Sequence, residues 1–485
     1  MNKLCWKIKQ SLCIGLIIFG IFQVRSQAER PIDTSKQKQS YLLEDIIQSY
    51  VESRADDGNF DYNTLADRLE YLQSHPVNIN SPDQIDDLVL LTPSQIINIK
   101  NYILQHGELI SIYELQAVPG MDINSIKMIM PFVRLNSNFE NYNVPLVEML
   151  RFGDNQLFLR TGSYFQKSVG YDHSRSSFYN GSPQRFYMRF KHFYENKLSI
   201  GLTAEKDPGE EFFKGSNKQG FDYYSFHFAL RNINKTIQDI VIGDYNVSFG
   251  QGLIIHSGFG IGKSPWATSI RKADRTIRPY TSVNESNFLR GAAANLRFTK
   301  KFDATLFASR RRKDGNVIND SLDRETLFSS FQESGYHRTS NEIADENAIT
   351  ENTAGGAIRY KTGHGHIGLN TMYTEFGKGL LKQNLPYNQF AFKGQRLFQY
   401  SVDHSYQIKN FNFFGEAAFS NPGTYGWMEG LHLVLDKNVD MAFLYRHLDR
   451  AYPALYSNAF TENTLANNER GLYIGTEVRP STRWK

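Results

Sequence analysis

Hydrophobic and polar positions change rhythm three times along this chain. An apolar run from Cys13 to Val24 follows a basic start of Lys3, Lys7 and Lys9 and ends near Ser26-Gln27-Ala28. A positive start, a short apolar stretch and a small-residue cleavage region are the layout of an export signal. From residue 30 to 135 the apolar positions fall three and four apart, as on one face of a helix. Leu42, Leu43, Ile46, Ile47, Tyr50 and Val51 show it, then Leu65, Leu69 and Leu72. From about Asn155 the period is two. Phe186, Met188 and Phe190 alternate with Arg185, Tyr187, Arg189 and Lys191; Val439, Met441, Phe443 and Tyr445 alternate with Asp440, Ala442, Leu444 and Arg446.

The period-two region divides into fourteen strands, starting near 155, 184, 197, 220, 236, 286, 302, 353, 365, 394, 410, 425, 438 and 468. The connections alternate in length. Tight ones are Glu195-Asn196-Lys197, Asn232 to Lys235, Thr299-Lys300-Lys301, Thr362-Gly363-His364, Lys409-Asn410 and Asp436-Lys437-Asn438. Long ones run roughly 169–183, 208–219, 249–285, 314–352, 378–393 and 449–467, with Asn421 to Thr424 the short member of that set. A soluble sandwich has little reason to keep such an asymmetry. A transmembrane barrel has one, with short periplasmic turns and longer extracellular loops. The strands also have about the 9–11 residues that a tilted membrane strand needs.

Composition sharpens this picture. The chain of 485 residues carries 35 Phe, 27 Tyr and 36 Gly, and beyond the signal it has no stretch near the roughly 20 apolar residues of a membrane helix. Both cysteines, Cys5 and Cys13, lie inside the signal, so the mature chain has no thiol, disulfide or cysteine metal site. The net charge of +4 is small for this length and does not point to a polyanion partner.

The stretch from Pro76 to Leu135 contains Asn78-Ile79-Asn80, Asp87-Leu88, Ile96-Ile97 to Tyr102, His106-Gly107, Tyr113-Glu114-Leu115 and Val118-Pro119-Gly120-Met121. In this order and spacing it resembles the tandem helix-hairpin-helix domain of competence-type DNA-binding proteins. The resemblance implies hairpins whose backbone N–H groups, at helix N-termini, can bind DNA phosphate. The candidate positions are Thr92, Pro93 and Ser94 in the first hairpin, and Gly120, Met121 and Lys127 in and after the second. The first hairpin has no glycine, and Asp122 stands where the family has its second one. Lys100, Lys127 and Arg134 face Asp83, Asp86, Asp87, Glu108, Glu114 and Asp122, a net −3. Non-specific DNA affinity comes from neutralising phosphates, so a protein-docking or plug scaffold is favoured over DNA binding.

Signal, hairpin domain and barrel together resemble a family of gram-negative outer-membrane proteins of uncharacterised activity, with Gly243-Asp244-Tyr245-Asn246-Val247-Ser248-Phe249-Gly250-Gln251-Gly252-Leu253 matching its barrel motif. The expectation is an α + β chain: residues 1–28 a signal peptide, 30–75 a helical lead-in, 76–135 a periplasmic helix-hairpin-helix domain, 136–154 a linker, and 155–485 an antiparallel outer-membrane barrel of about fourteen strands or more. Ser481 to Lys485 read as a turn entering a further strand, which suggests a truncated chain.

Candidate chemistry is sparse. Ser257 to Ser264 (SGFGIGKS) lacks the glycine that a phosphate loop needs six residues before its lysine, and reads as a glycine-rich loop, extracellular or inserted into the lumen. Lys263, Arg271, Lys272, Arg275 and Arg278 in that loop, with Arg185, Arg189 and Arg446 on strands, are candidates for a lumen constriction favouring anions. Asp440 and Glu477 also read as lumen-facing. Arg310-Arg311-Arg312-Lys313 end a strand where lipopolysaccharide phosphates would lie. His364-Gly365-His366 offers two imidazoles but no third ligand. Glu210-Glu211 meet no candidate nucleophile, and there is no Gly-x-Ser-x-Gly. The expected function is a non-enzymatic barrel for transport or secretion of a polar solute, without cofactor, contacting outer-membrane lipid and a periplasmic protein partner. The alternatives are DNA uptake and an outer-membrane hydrolase.

Overall fold

The computed structural model describes residues 65–479 apart from 66–67, 70, 74, 136–143, 196, 258–266, 273–275, 320–325, 384, 422 and 437. The signal segment and the lead-in up to residue 64 fall outside the described residues, as do Lys263 and Arg275. The described residues all belong to one compact unit, Ile47–Lys485.

A small helical module comes first. It contains α1 (Pro82–Ile85), α2 (Pro93–His106), a 3-10 helix (Ile112–Ala117) and α3 (Ile123–Ile129). Leu69, Ile79, Ile85, Ile99, Leu115, Ile129 and Phe132 are buried in its core. Two-residue strands at its ends, Val77–Asn78 and Val133–Arg134, pair in parallel and close it. Thr92 starts α2 with a capping box: its hydroxyl accepts from Gln95 N–H while the Gln95 side chain accepts from Thr92 N–H. This satisfies backbone donors that a helix start leaves unpaired. A further helix, α4 (Leu146–Phe152), occupies part of the stretch read as linker.

The rest of the chain is a strand wall. Its members are β1 (Asp154–Gly162), β2 (Arg185–Tyr194), β3 (Leu198–Lys206), β4 (Tyr223–Arg231), β5 (Ile237–Val247), β6 (Leu289–Arg297) and β7 (Phe302–Lys313), then β8 (Ile349–Thr362), β9 (Gly365–Leu380), β10 (Gly394–Ile408), β11 (Phe411–Ser420), β12 (Thr424–Asp436), β13 (Val439–Leu448) and β14 (Glu469–Val478). Each is antiparallel to the next from β1 to β14, and the sheet curls into a barrel. Glu195, Asn232 and Lys409 take positive φ of 45°, 50° and 51° in the tight turns, the left-handed geometry such turns use. The long connections hold more structure than expected. Ile277–Pro279 pairs with Tyr245–Val247 of β5, and Gly315–Asn319 forms a hairpin with Thr326–Phe331.

The wall is apolar outside, and its inner face is mixed, with polar residues beside an apolar patch that includes Phe307, Met372, Phe414 and Leu444. Across three neighbours, Ile358, Leu369 and Val402 share one row and are 57%, 50% and 46% exposed. The alternate positions Asn370, Thr374, Gln399, Ser401 and Asp403 are 2% exposed or less. Outward aromatics gather at both ends of the wall: Phe302, Tyr360, Tyr406, Phe411 and Phe413 toward the tight turns, and Tyr373, Phe398, Tyr400, Phe419, Tyr425 and Trp427 toward the long loops. A water-soluble barrel would reverse the two faces.

Candidate functional site

The lumen is the place where chemistry or passage would occur, and two of the long loops fill it. After β5 the chain turns inward. Phe249, Leu253, Ile254 and Ile255 are fully buried, packed in one cluster with wall residues that include Phe307, Met372, Phe414, Met428 and Leu444. The loop after β13 joins them through Tyr452 and Phe460. The two loops bond to each other: Tyr452 Oη donates to Leu253 O (3.1 Å), Ser457 Oγ to Gly252 O (2.8 Å) and His256 N–H to Tyr456 O (3.0 Å).

The wall holds this plug through buried polar groups. Glu416, pointing inward from β11, accepts from the backbone N–H of Gln251 (2.7 Å) and of Leu253 (3.0 Å) through Oε2. Gly250 has φ +50°, and a Cβ there would stand 2.7 Å from Cδ of Glu416. No side chain fits that approach, which gives the Gly250-Gln251-Gly252-Leu253 motif a physical reason. From the second loop, Tyr456 Oη donates to Glu351 Oε2 (2.6 Å), and Glu351 also pairs with Arg311 (2.9 Å). Between Ala267 and Lys272 the first loop lies on β14. Tyr473 Oη donates to Ala267 O (2.9 Å), and a Cβ on Gly475 would stand 2.1 Å from that carbonyl.

The helical module sits at the tight-turn end. Asn98 of α2 is buried against inward residues of the wall: its Oδ1 accepts from Asn412 Nδ2 (3.1 Å) and Gln407 Nε2 (3.4 Å), while its Nδ2 donates to Pro119 O (2.8 Å). Asp87 bridges Arg68 (2.7 Å) and Arg231, the last residue of β4 (3.3 Å). Tyr71 Oη donates to Glu195 O in the turn after β2 (2.9 Å), and His75 contacts Asp154 at the start of β1 (3.0 Å).

These contacts place the candidate hairpin residues. Thr92, Pro93 and Ser94 are the cap and first turn of α2, with Pro93 and Ser94 buried. Met121 is buried and Lys127 exposed. A Cβ on Gly120 would meet Val434 of β12 at 3.8 Å, so this hairpin faces the wall. Asp122 caps α3, accepting from Ser125 N–H (2.7 Å). Its carboxylate therefore takes the helix start that a phosphate would occupy.

The candidate lumen cations are bonded separately within the barrel. Arg271 is buried in the plug, with Nη2 on Ser405 Oγ (2.9 Å) and its guanidinium over Phe414. Lys272 is buried beside it, its N–H on Gln251 Oε1 (3.2 Å), and Arg278 is half-buried on the short loop strand. Arg185 pairs with Glu205 and Asp207, Arg446 with Glu469 and Glu462, and Arg189 stacks near Phe158 and Tyr187. Asp440 pairs with Arg479 (2.6 Å), and Glu477 accepts from Thr268 Oγ1 (3.3 Å). The pleat splits the basic run: Arg311 and Lys313 turn inward to Glu351, whereas Arg310 and Arg312 are exposed. It also separates the two histidines. His366 turns inward to Asp403 (3.0 Å), while His364 stays exposed in the turn.

A second polar cluster, unread in the sequence, lies among the long loops: Glu210, Asp222 and His337, with Asp314 behind. Burial first, then the Asp222 charge, pushes the Glu210 carboxyl up to about 8. The same two causes push Glu285 up to about 9.

No family model matches the chain, and no curated protein matches it. Solved structures that align with it are outer-membrane proteins. A loop L8 deletion mutant of OmpT from Vibrio cholerae is 11% identical over 67% of this chain and 97% of its own, with a TM-score of 0.26. Salmonella typhi OmpF is 10% identical over 67% and 95%, with a TM-score of 0.27. An anion-selective porin from Comamonas acidovorans is 12% identical over 67% and 99%, with a TM-score of 0.24. At such scores the likeness carries no argument, and the reading below stands on the chain's own geometry.

Proposed function

We propose that this protein is a non-enzymatic outer-membrane β-barrel held shut at rest. Its lumen is plugged by two of its own loops and its periplasmic mouth is covered by the helical module. The observation that carries this reading is the outer face of the wall, an apolar row exposed between two aromatic belts, while the buried polar side chains of the strands turn inward. Exposed apolar surface on this scale needs lipid against it.

The barrel passes or binds a polar solute when the plug moves. Each fully buried large apolar side chain contributes about 1.5–3 kcal/mol. The four on the first loop therefore put on the order of 10 kcal/mol against its expulsion. Thermal fluctuation alone would leave the open state far below one part in a thousand. Opening then needs work from outside, and the module is placed to receive it from a periplasmic protein. Arg310 and Arg312 are the residues that would meet lipopolysaccharide phosphates. DNA is disfavoured as the cargo-side partner, because the second hairpin faces the wall.

The mature chain has no thiol, so single cysteines test this directly. Tyr164, 82% exposed among the long loops, becomes Tyr164→Cys; Ile110, 90% exposed on the module, becomes Ile110→Cys. A membrane-impermeant maleimide on intact cells should label the first, and label the second only after the outer membrane is breached. Labelling of Ile110→Cys on intact cells, or of neither after breaching, would overturn the orientation or the location.

A further inference from the structure

We propose that Glu210, Asp222 and His337 bind a divalent cation of the zinc or manganese class at the long-loop end of the barrel. The three come from two different connections: Glu210 and Asp222 from the loop between β3 and β4, His337 from the loop between β7 and β8. Their ligand atoms lie within 4.8 Å of one another. Glu210 is 1% exposed, and the side chains of Asp222 and His337 are 3% and 5% exposed.

The imidazole is the informative group. Nδ1 is 2.5 Å from Asp222 Oδ2, and Nε2 is 3.1 Å from Asp314 Oδ2. A neutral imidazole carries one N–H, and an ionised carboxylate only accepts. If Nε2 donates to Asp314, the Nδ1 lone pair confronts the Asp222 carboxylate. At 2.5 Å a second proton bridges them; a metal ion bound at about 2.0–2.2 Å to each would replace that proton and open the pair to roughly 3 Å. The Asp314–His337 contact is the arrangement that orients a metal-ligating histidine and raises its basicity.

The carboxylates are pinned as well. Glu210 accepts from the N–H of Asp207 (2.7 Å) through Oε2 and of His337 (3.1 Å) through Oε1. Asp222 Oδ1 accepts from Asn217 Nδ2 (2.6 Å). Charge around the imidazole is unbalanced: the carboxylates of Asp222 and Asp314 both face it, while Glu285 is kept protonated by burial. The ammonium of Lys206 already donates to the carbonyls of Ser182, Gln184 and Asp207. One imidazolium leaves that excess standing; a dication with an imidazole ligand offsets more of it. Mixed imidazole and carboxylate ligands suit zinc and manganese better than calcium. Bound there, the ion would tie the two loops together across the rim of the barrel.

The full-length protein, chelator-treated in detergent, is titrated with ZnCl2 and with MnCl2 by calorimetry in two buffers of different ionisation enthalpy. One cation per chain should bind with release of protons, since the imidazole and carboxyl ligands must give theirs up. His337→Gln and Asp222→Asn should each abolish the saturable site. Asp314→Asn should weaken it by about 10–100-fold, the usual effect of losing a group that orients a ligand. A shift in gel migration between unheated and heated samples, the compact barrel running faster, shows that each variant is folded. Absence of a saturable site in folded wild type would overturn the proposal. So would binding that survives both His337→Gln and Asp222→Asn. Calcium binding at the same stoichiometry, unaffected by His337→Gln, would show a carboxylate site without the histidine and would also overturn it.

Discussion

Glu416 illustrates what a single side chain does in this barrel. A carboxylate on the inner wall is costly to bury unless backbone donors meet it, and here the donors belong to the plug. Hydrogen bonds to a charged group are worth about 1.5–3 kcal/mol each. Losing the pair made with Gln251 and Leu253 removes only part of the roughly 10 kcal/mol held in apolar contacts. Glu416→Ala should therefore loosen the loop without opening the lumen. Hydrogen exchange at Gln251 and Leu253 should rise by about two orders of magnitude or more, while single-channel recordings stay silent; exchange unchanged from wild type would mean the latch is elsewhere. Glu285 gives the residue scale a pH dependence. Burial holds its carboxyl at about 9 in the folded protein, far above the ordinary value of 4.5. Its folded form is the protonated one, so its contribution is whole below 4.5 and is lost as pH rises through 9. Glu210, raised to about 8, acts in the same direction. In chelator-treated protein the segment 332–348 should become easier to cleave between pH 6 and pH 9, and Glu285→Gln should flatten that change. Cleavage that slows toward pH 9 would contradict the sign.

Elements differ in how openly the sequence declares them. The strands announce themselves because an inner polar and an outer apolar face impose strict alternation, and tight turns mark every second end. Thirteen of the fourteen expected starts fall within three residues of those observed, and β8 begins at Ile349 because the wall pairs beyond 353. The plug was hidden by its position. It reads as loop, yet Leu253-Ile254-Ile255 is an apolar run that water would not tolerate exposed, and that was the available signal. Its partners Phe414 and Leu444 lie more than 150 residues away in the chain, beyond the reach of any local pattern. The cluster at His337 was hidden for the same reason, since loops far apart in sequence build it. In the module, Asp87 and Asn98, to which the sequence assigns no role, both bond to the barrel strands. Asn98→Leu would leave Asn412 Nδ2 and the Pro119 carbonyl without this partner, each at about 1–3 kcal/mol when buried. The module should then undock. Protease should remove it at low dose while the barrel band survives, and equal resistance of wild type and variant would mean that the remaining contacts hold it alone.

At the scale of the whole molecule, the proposed function puts two barriers in series, and series barriers have a distinctive signature. Opening one leaves the path closed by the other. Leu253→Asp with Ile255→Asp places two unpaired charges in the plug's apolar cluster, which burial cannot accommodate. The loop should leave the lumen while the wall, hydrogen-bonded strand to strand, persists. Deleting residues 29–143 removes the module and leaves the plug. In planar bilayers each change alone should give at most small, infrequent steps, and the two together should give a steady ohmic conductance. Additive conductances would mean parallel routes rather than a shared one. A wild-type protein that conducts steadily would mean that the loops line an open passage. The combined variant is also where the cationic side chains can be judged. With the plug out, Arg271 and Lys272 leave the lumen with it, and the wall retains Arg185, Arg189, Arg311, Lys313 and Arg446 beside Glu205, Glu351, Asp403, Glu416, Asp440 and Glu477. Acid and base are then close to balanced on the inner face, so the freed pore should favour neither ion strongly. A clear anion preference there would trace selectivity to the wall arginines and not to the loop.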